Sequence, residues 1–300
     1  MIIYMQENIF DTPAKAYVNT VNTQGVMGKG IAKVFKSRYP GMFREYQDLC
    51  EKGEIGIGRL WFYTIDGKVI VNFPTKEQWR KPSRPEYIEE GLKDFCDRYT
   101  HYGISSIAFP PLGCGNGGLD FENQVKPIME RYLENLPIPV LIYPHKRSAE
   151  RPEHLDMEPM TKWLKTEPTS LPFSEVWADI LHSVLGEPGI DIEGIKHRID
   201  IIENEKNEDK GIRIRNGEVF TIYYDDLRLI WNLLRESGFV LERDLFLKDD
   251  KVSRAVLMIF RKIEYIRPFR GLVSGDSEPS YGIGIDRLHM VPQYTLMNFT

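Results

Sequence analysis

One segment constrains the fold of this 300-residue chain more than any other: the glycine-rich stretch Pro-Pro-Leu-Gly-Cys-Gly-Asn-Gly-Gly-Leu-Asp-Phe at residues 110–121. It follows a strand-like apolar run at 104–109 and precedes a helix-like pattern at 122–136. Glycine permits turns that side chains would block, and the free backbone N–H groups before a helix attract anions. A strand, a glycine loop and a helix in this order predict an anion-binding turn at the edge of a sheet.

A second glycine loop, Gly-Val-Met-Gly-Lys-Gly-Ile-Ala at residues 25–32, follows another strand-like run at 16–21. In open α/β sheets, ligands bind where the carboxyl ends of neighbouring strands meet. Two such loops therefore predict one ligand with two linked phosphates, held across the edge of the sheet.

Strands and helices alternate through the first 145 residues. Short apolar or β-branched runs predict strands at residues 2–5, 16–21, 60–65, 69–73, 104–109 and 140–143. Asp66-Gly67 is typical of a hairpin turn, and apolar residues at helical spacing separate the other runs. The alternation predicts an α/β fold, a three-layer α/β/α sandwich with a mixed sheet.

The alternation ends in a stretch rich in proline and charge, which we interpret as a linker at 149–172 between a first domain at 1–148 and a smaller α+β domain at 173–300. In the second domain, apolar spacing predicts helices at 173–185 and 227–234 and a further helix through the isoleucines of 192–202. Asn216-Gly217 predicts a hairpin. Residues 254–266 are predicted to form a long strand.

Composition excludes several classes of function. The net charge of −5 argues against a generic, charge-driven nucleic-acid binder, although it leaves room for a local basic groove. The three cysteines form no CxxC pair and predict neither a zinc site nor a disulfide framework. No apolar run has the length of a membrane span, and the first residues lack the pattern of a signal peptide. We expect a cytoplasmic protein without a membrane partner.

Four motifs occur in the order and spacing of a known family: Asn-Thr-Val-Asn at 19–22, the loop at 25–32, Asn-Phe-Pro-Thr-Lys at 72–76 and Pro-Pro-Leu-Gly-Cys-Gly at 110–115. By these motifs, residues 1–145 resemble the macrodomain family, and within it the DarG-like antitoxins that act on DNA. Macrodomains bind ADP-ribose, so the resemblance implies that its diphosphate lies between the two glycine loops. It implies these ligand-binding residues: Asn8, Ile9, Asn19, Gly28, Lys29, Gly30, Ile31, Ala32, Thr75, Leu112, Gly113, Cys114, Gly115, Asn116 and Gly117.

Lys76 is the strongest candidate for catalysis. In the DarG-like branch, the lysine at this motif position attacks the anomeric carbon of the distal ribose. A free lysine has a pKa of about 10.4, so the site would have to favour the neutral amine by desolvation or by a nearby cation such as Lys29, Arg80 or Lys81. Without the surrounding motifs, Lys76 would be interpreted as an exposed lysine at the end of a strand.

Two further motif residues, Asn22 and Cys114, each allow two interpretations. Asn22 either hydrogen-bonds the ribose hydroxyls and orients the sugar for catalysis, or forms an Asx turn that leads into the glycine loop. Cys114 is interpreted as a small packing residue rather than a nucleophile, because no histidine or cysteine is close in sequence.

The chain departs from the pattern of its relatives at two places. Where most macrodomains have an aspartate that binds the adenine amino group, this chain offers Asn8. The branch that acts on protein glutamate carries an acid after its Gly-Cys-Gly-Leu motif, where this chain has Gly117, with Asp120 three residues later. The second difference favours a DNA linkage over a protein glutamate linkage.

The segment that follows Lys76 mixes cations with an indole: Trp79, Arg80, Lys81 and Arg84. Cations suit phosphates and an aromatic face suits a stacked base, so we predict that these four residues bind a single DNA strand. The alternative is an ordinary solvated loop in which Trp79 packs on the domain.

Taken together, these features predict an ADP-ribosyl glycohydrolase that removes ADP-ribose from a base of single-stranded DNA, with thymidine implied by the resemblance. The resemblance also implies an antitoxin whose second domain grips a cognate toxin, and chemistry without a metal or redox cofactor. Two other functions stay open: a reader that binds ADP-ribose without hydrolysis, and a hydrolase of ADP-ribosylated protein.

Overall fold

A computed structural model describes the chain at residues 1–144, 155, 157–185, 189–192, 194–203, 210–216, 218–245, 247, 250–271 and 279–286. The chain divides into two units, Met1–Leu164 and Lys165–Thr300. The predicted boundary at residue 148 lies outside the described residues. Among those described, no helix has the length and apolar character needed to cross a bilayer.

All six strands predicted in the amino-terminal unit are present, with slightly different ends. The strands described there are β1 (Ile2–Tyr4), β2 (Ala16–Asn22), β3 (Trp61–Ile65), β4 (Lys68–Lys76), β5 (Ile107–Phe109) and β6 (Val140–Ile142). The helices are α1 (Gly30–Arg38), α2 (Pro40–Glu51), α3 (Pro85–Arg98), α4 (Lys126–Leu133) and, at the end of the unit, α5 (Glu158–Thr166).

The strands form one mixed sheet in the order β1-β6-β5-β2-β4-β3. Only β3 runs antiparallel, because it is joined to β4 by the predicted hairpin. Asp66 and Gly67 both adopt positive φ, of 49° and 72°, as a tight turn between twisted strands requires.

Each face of this sheet has its own apolar core, because successive side chains of a strand point to opposite sides. Ala16 and Val18 belong to a cluster that includes apolar residues of α3 and α4. Tyr17 belongs to a second cluster, with residues of α1 and α2. The three-layer prediction is therefore confirmed.

The carboxy-terminal unit contains two sheets and three helices among its described residues, which agrees with the predicted smaller α+β domain. Its strands are β7 (Ile190–Ile192), β8 (Ile195–Glu203), β9 (Lys210–Asn216), β10 (Glu218–Tyr223), β11 (Phe239–Leu241), β12 (Ile266–Gly271) and β13 (Ser280–Ile285). Its helices are α6 (Phe173–Leu185), α7 (Tyr224–Ser237) and α8 (Asp250–Arg261). Two helices and the hairpin of β9 and β10 are confirmed, while Gly217 lies outside the described residues.

Two predictions after residue 148 are wrong. The isoleucines of 192–202 lie on β7 and β8, where β-branched side chains fit a pleated surface better than a helix. The predicted strand at 254–266 is largely α8, whose buried Ser253, Val256, Leu257 and Phe260 recur at helical spacing. α5 lies within the segment at 149–172, whose role as a linker stays a prediction.

Candidate active site

Three neighbouring strands end at the same edge of the sheet and place the predicted motifs together. β2 pairs in parallel with β4 on one side and with β5 on the other. The first glycine loop leaves β2, the second leaves β5, and Lys76 is the last residue of β4. Because the chain connects in opposite directions from β2 and β5, this edge is the point at which such sheets open a crevice for ligands.

Asn22 organises the first glycine loop with its own side chain. Its Nδ2 donates to the Val26 carbonyl at 2.7 Å, and its Oδ1 accepts from the backbone N–H of Gln24 at 3.0 Å and of Val26 at 3.3 Å. The Tyr46 hydroxyl donates to the Asn22 backbone carbonyl. Burial raises the pKa of Tyr46 well above its ordinary value, so this hydroxyl stays a donor. The Asx-turn interpretation of Asn22 is therefore realised.

The two glycine loops approach each other directly. A Cβ atom added to Gly30 would lie 3.0 Å from Nδ2 of Asn116 in the opposite loop. Gly30 also has a positive φ of 58°, which disfavours any side chain there. Asn116 therefore reaches across the space in which both loops can donate N–H groups to one anion.

Two cavities that share this space form the site. The outer cleft has a volume of about 890 Å³ and is lined by Gln6, Glu7, Asn8, Ile9, Phe10, Thr20, Gly28, Lys29, Gly30, Ile31, Lys33, Val34, Arg38, Pro110, Pro111, Gly115, Asn116, Tyr143 and Pro144. The inner recess has a volume of about 70 Å³ and is lined by Thr20, Val21, Asn22, Val26, Gly28, Lys29, Ile31, Ala32, Thr75, Lys76, Trp79, Asn116 and Met160.

Lys76 lies in the inner recess with only 5% of its surface exposed, so it is not the solvated strand-end lysine of the alternative interpretation. Its Nζ donates to the Trp79 carbonyl at 3.2 Å. The loop at Trp79 is tied in turn to the first glycine loop, because Trp79 N donates to Gln24 Oε1 at 3.1 Å. Lys76 and Asn22, partners in the strand register, thus share one small enclosure.

Comparison with known proteins agrees with this arrangement. Residues 18–128 match the family model described as Macro domain. The amino-terminal unit is a macrodomain. The resemblance found in the motifs is thereby confirmed, and α5 lies beyond the matched residues.

The similar proteins include members that act on DNA. A DNA ADP-ribosyl glycohydrolase from Thermus aquaticus is 41% identical over 195 residues, which are 63% of this chain and 52% of that protein. A DNA ADP-ribosyl transferase-DNA ADP-ribosyl glycohydrolase fusion protein from Thermosipho africanus is 36% identical over 158 residues, 46% of this chain and 40% of that protein. The chain therefore spans about half the length, or less, of these relatives.

Among solved structures, the macrodomain of Thermus aquaticus DarG is 45% identical to this chain. The match has a TM-score of 0.45 and covers 48% of this chain and 97% of that one.

Several predicted ligand-binding residues of the macrodomain support the site without lining it. Asn19 is fully buried and donates through Nδ2 to Asn72 Oδ1 at 2.9 Å. Leu112 is fully buried, and Gly113 and Gly117 are buried within the second loop. These residues line neither cavity in the structure, and their direct contact with ADP-ribose stays a prediction.

Gly117 is the position in the second loop where a side chain fits least. A Cβ atom there would lie 2.2 Å from both the Gly113 carbonyl oxygen and Ser83 Oγ, whereas a Cβ atom on Gly115 meets nothing within 4 Å. We expect Gly117→Ala to lower the free energy of unfolding by about 1–3 kcal/mol, as overpacking does, and to weaken ADP-ribose binding. Gly115→Ala serves as the matched control for stability in thermal unfolding. Equal stability of the two variants would contradict this account.

The cationic segment after Lys76 differs from the prediction in one residue. Trp79 is 1% exposed, its ring lies 4.3 Å from the Arg80 guanidinium, and it lines the inner recess. It therefore offers no open face to a base at the surface, and the packed alternative is the one observed. Arg80 is half-buried, whereas Lys81 and Arg84 are exposed and remain accessible to phosphates.

Asn8 lines the outer cleft, as the resemblance implies for the adenine end, but its side chain is also used locally. Its Oδ1 accepts from the backbone N–H of Phe10 at 3.1 Å and caps the short 3-10 turn Ile9–Asp11. Ile9, Lys29 and Gly28 line the cleft as predicted. The uncharged amide of Asn8 thus lies at the position where the resemblance leads one to expect an aspartate.

Cys114 has the environment of an inert thiol. Burial, with a smaller contribution from the Asp120 carboxylate, raises the pKa of Cys114 to about 12. Its Sγ lies 3.4 Å from the Leu112 carbonyl. The interpretation of Cys114 as a packing residue is consistent with both observations, since the thiolate is the reactive form.

We expect Cys114→Ala to retain ADP-ribose binding and release. With its raised pKa, only about one thiol in ten thousand is ionised at pH 8, so iodoacetamide should label Cys114 in the folded protein far more slowly than after unfolding. Labelling should accelerate only as the pH rises toward 12. Fast labelling at neutral pH, measured by mass spectrometry, would contradict this expectation.

Sequence reasoning missed several residues that line the cavities. Thr20 precedes the motif asparagine by two residues on β2, and Arg38 and Lys33 extend from α1 beyond the glycine loop. The helical spacing of four residues from Lys29 was a signal for Lys33 but not for Arg38. Met160 had no such signal, because it lies in the predicted linker.

Among the described residues, no cluster of three histidine, cysteine or acidic side chains is placed to hold a metal.

Proposed function

We propose that this protein is an ADP-ribosyl glycohydrolase that removes ADP-ribose from a base of single-stranded DNA. Lys76 Nζ would attack the anomeric carbon of the distal ribose, forming a C–N bond as the bond to the base breaks. The base leaves with a proton. Water then adds to the same carbon and releases the amine, so that one water is consumed for each ADP-ribose released.

The observation that carries the proposal is the chemistry of the inner recess. Of the described residues that line it, Lys76 and Lys29 are the ionisable ones, and no carboxylate is among them. A glycosidase that works with two carboxyl groups would need them on either side of the bond. A buried amine beside the two loops supplies the nucleophile instead.

The two glycine loops suit the diphosphate of ADP-ribose. Gly28, Ile31 and Asn116 line both cavities, Gly30 lines the outer cleft, and α1 begins there with its first N–H groups free of helical partners. A diphosphate held at this point has its adenosine in the outer cleft and its distal ribose at the inner recess. The name of the Thermus aquaticus relative supports ADP-ribose as the ligand.

Two observations favour DNA over protein as the carrier of ADP-ribose. Asp120, the acid nearest to the position used by glutamate-directed relatives, is exposed and accepts from Asn123 N at 2.7 Å at the start of the turn before α4. It lines neither cavity. The exposed cations Lys81 and Arg84 follow Lys76 and can contact strand phosphates.

The antitoxin role and a cytoplasmic location are part of the proposal. The Thermosipho africanus relative unites a DNA ADP-ribosyl transferase with a DNA ADP-ribosyl glycohydrolase in one chain, which supports a functional pairing of the two activities. The carboxy-terminal unit is the candidate for binding such a transferase. Its exposed apolar side chains on α7, Leu229 and Leu233, are candidate contacts.

The deciding experiment supplies the protein with ADP-ribosylated single-stranded DNA and, separately, with protein ADP-ribosylated on glutamate, and measures released ADP-ribose. Release from DNA at a much higher rate is expected. Faster release from protein than from DNA would show that ADP-ribosylated protein, and not DNA, is the substrate. Binding of ADP-ribose without release from either would identify a reader.

The DNA contact has its own test. The double variant Lys81→Gln, Arg84→Gln should raise the KM for ADP-ribosylated DNA and make that KM less dependent on salt. The reason is that binding with fewer phosphate contacts releases fewer counterions from the DNA. Affinity for free ADP-ribose should not change. Lys93→Gln removes an exposed lysine of α3 and is the matched control.

A further inference from the structure

The helix α5 covers the first glycine loop of the macrodomain. A Cβ atom on Gly28 would lie 2.1 Å from Met160 Cε and 2.4 Å from Trp163 Cζ3, so two side chains of α5 occupy the space above this glycine. Gly28 lines both cavities. The backbone that would face a phosphate is therefore in contact with a segment from outside the family match at 18–128.

Met160 reaches from α5 into the inner recess. It is 4% exposed and lines the recess together with Lys76 and Asn22. Methionine is unbranched, with rotatable bonds that let it fill an irregular space and leave it again at low cost. Its thioether is thus a movable part of the enclosure around the proposed nucleophile.

Trp163 holds α5 on the first helix of the macrodomain. The ammonium groups of Lys36 and Lys33 lie 4.8 Å and 5.8 Å from its ring centroid, within the range of cation–π attraction. Lys33 also lines the outer cleft. An anionic ligand in that cleft competes with the indole for the Lys33 ammonium and weakens one of the contacts that hold α5 in place.

The inner recess is much narrower than the cleft it adjoins. Its cavity volume is about 70 Å³, against about 890 Å³ for the outer cleft. Among the described residues that line the recess, Met160 comes from α5, and the others belong to the strands, the loops and α1 of the macrodomain. Withdrawal of the methionine would widen the recess for the sugar.

We propose that Met160, anchored by Trp163, is an access-determining residue that closes the recess until the distal ribose of an ADP-ribosylated nucleotide displaces it. This inference rests on the proposed function for the identity of the substrate. Ligand binding in the outer cleft lowers the cost of opening through Lys33. The enclosure thereby admits a sugar that arrives with its diphosphate bound.

The test uses the full chain with Met160→Ala and, separately, Trp163→Ala, which loosens α5 without changing the lining of the recess. Both variants should raise kcat/KM for ADP-ribosylated single-stranded DNA on the order of tenfold, because the substrate no longer displaces a buried side chain. They should also bind free ADP-ribose more tightly and with a faster on-rate. Met157→Ala is the matched control, since Met157 is 45% exposed at the start of the same segment and lines neither cavity.

The outcomes separate this inference from the proposed function. If Met160→Ala slows release or weakens ADP-ribose binding, the methionine helps to form the binding site instead of blocking it, and the inference is overturned. It is also overturned if both variants match the wild type in every measurement. If no variant releases ADP-ribose but both bind it faster, the closure stands and the hydrolase assignment fails.

Discussion

Lys76→Ala is expected to slow ADP-ribose release from modified DNA by at least about 10³-fold, the scale on which loss of an essential reacting group acts. The physical reason is that Lys76 supplies the buried amine of the inner recess, where none of the lining residues in the described part of the chain carries a carboxylate that could replace it. Affinity for free ADP-ribose should change little, because the glycine loops and the outer cleft remain. The measurement is single-turnover release compared with calorimetric binding.

The same strand provides the matched control for this variant. Lys68 begins β4, and Lys76 ends it, so Lys68→Ala removes a lysine from the opposite end of one element. Its release rate should equal that of the wild type. Undiminished release by Lys76→Ala would remove the amine from the mechanism, and an equal loss in both variants would indicate damage to the strand rather than to the chemistry.

The placement of the site could be predicted because it depends on strand order and loop composition. Apolar runs located β2, β4 and β5, and the carboxyl ends of parallel strands necessarily meet at one edge of a sheet. The glycines at 25–32 and 113–118, in turns at the ends of these strands, then predicted that both turns bind an anion. Lys76 followed from the motif at residues 72–76 and the resemblance it carries, and not from its strand-end position alone.

Burial of single side chains could not be predicted in the same way. Trp79 lies among cations in a loop, a composition typical of solvent exposure, yet its indole is buried beside the recess. Met160 follows a proline-rich stretch and becomes a lining residue only through contacts distant in sequence. In the carboxy-terminal unit, β-branched runs on β8 and α8 fit both a strand and a helix, and tertiary packing decided between them.

Asn22→Ala is expected to weaken ADP-ribose binding about 10- to 100-fold, because each buried polar group left without a partner costs about 1–3 kcal/mol. The variant removes the bond from Nδ2 to the Val26 carbonyl and both backbone bonds to Oδ1. The first glycine loop then loses the turn that aims its N–H groups at the diphosphate. Calorimetric titration with ADP-ribose measures the loss, and Asn123→Ala, which removes an exposed amide, is the control.

Asn22→Asp separates the two interpretations of this residue. Aspartate keeps an oxygen for the N–H groups of Gln24 and Val26 but cannot donate to the Val26 carbonyl, so its affinity for ADP-ribose should lie between those of the wild type and Asn22→Ala. This variant should lose binding and turnover together, since the loop is what changes. Binding equal to that of the wild type with turnover abolished would place Asn22 on the sugar instead, and would make its amide a catalytic contact and not the support of the turn.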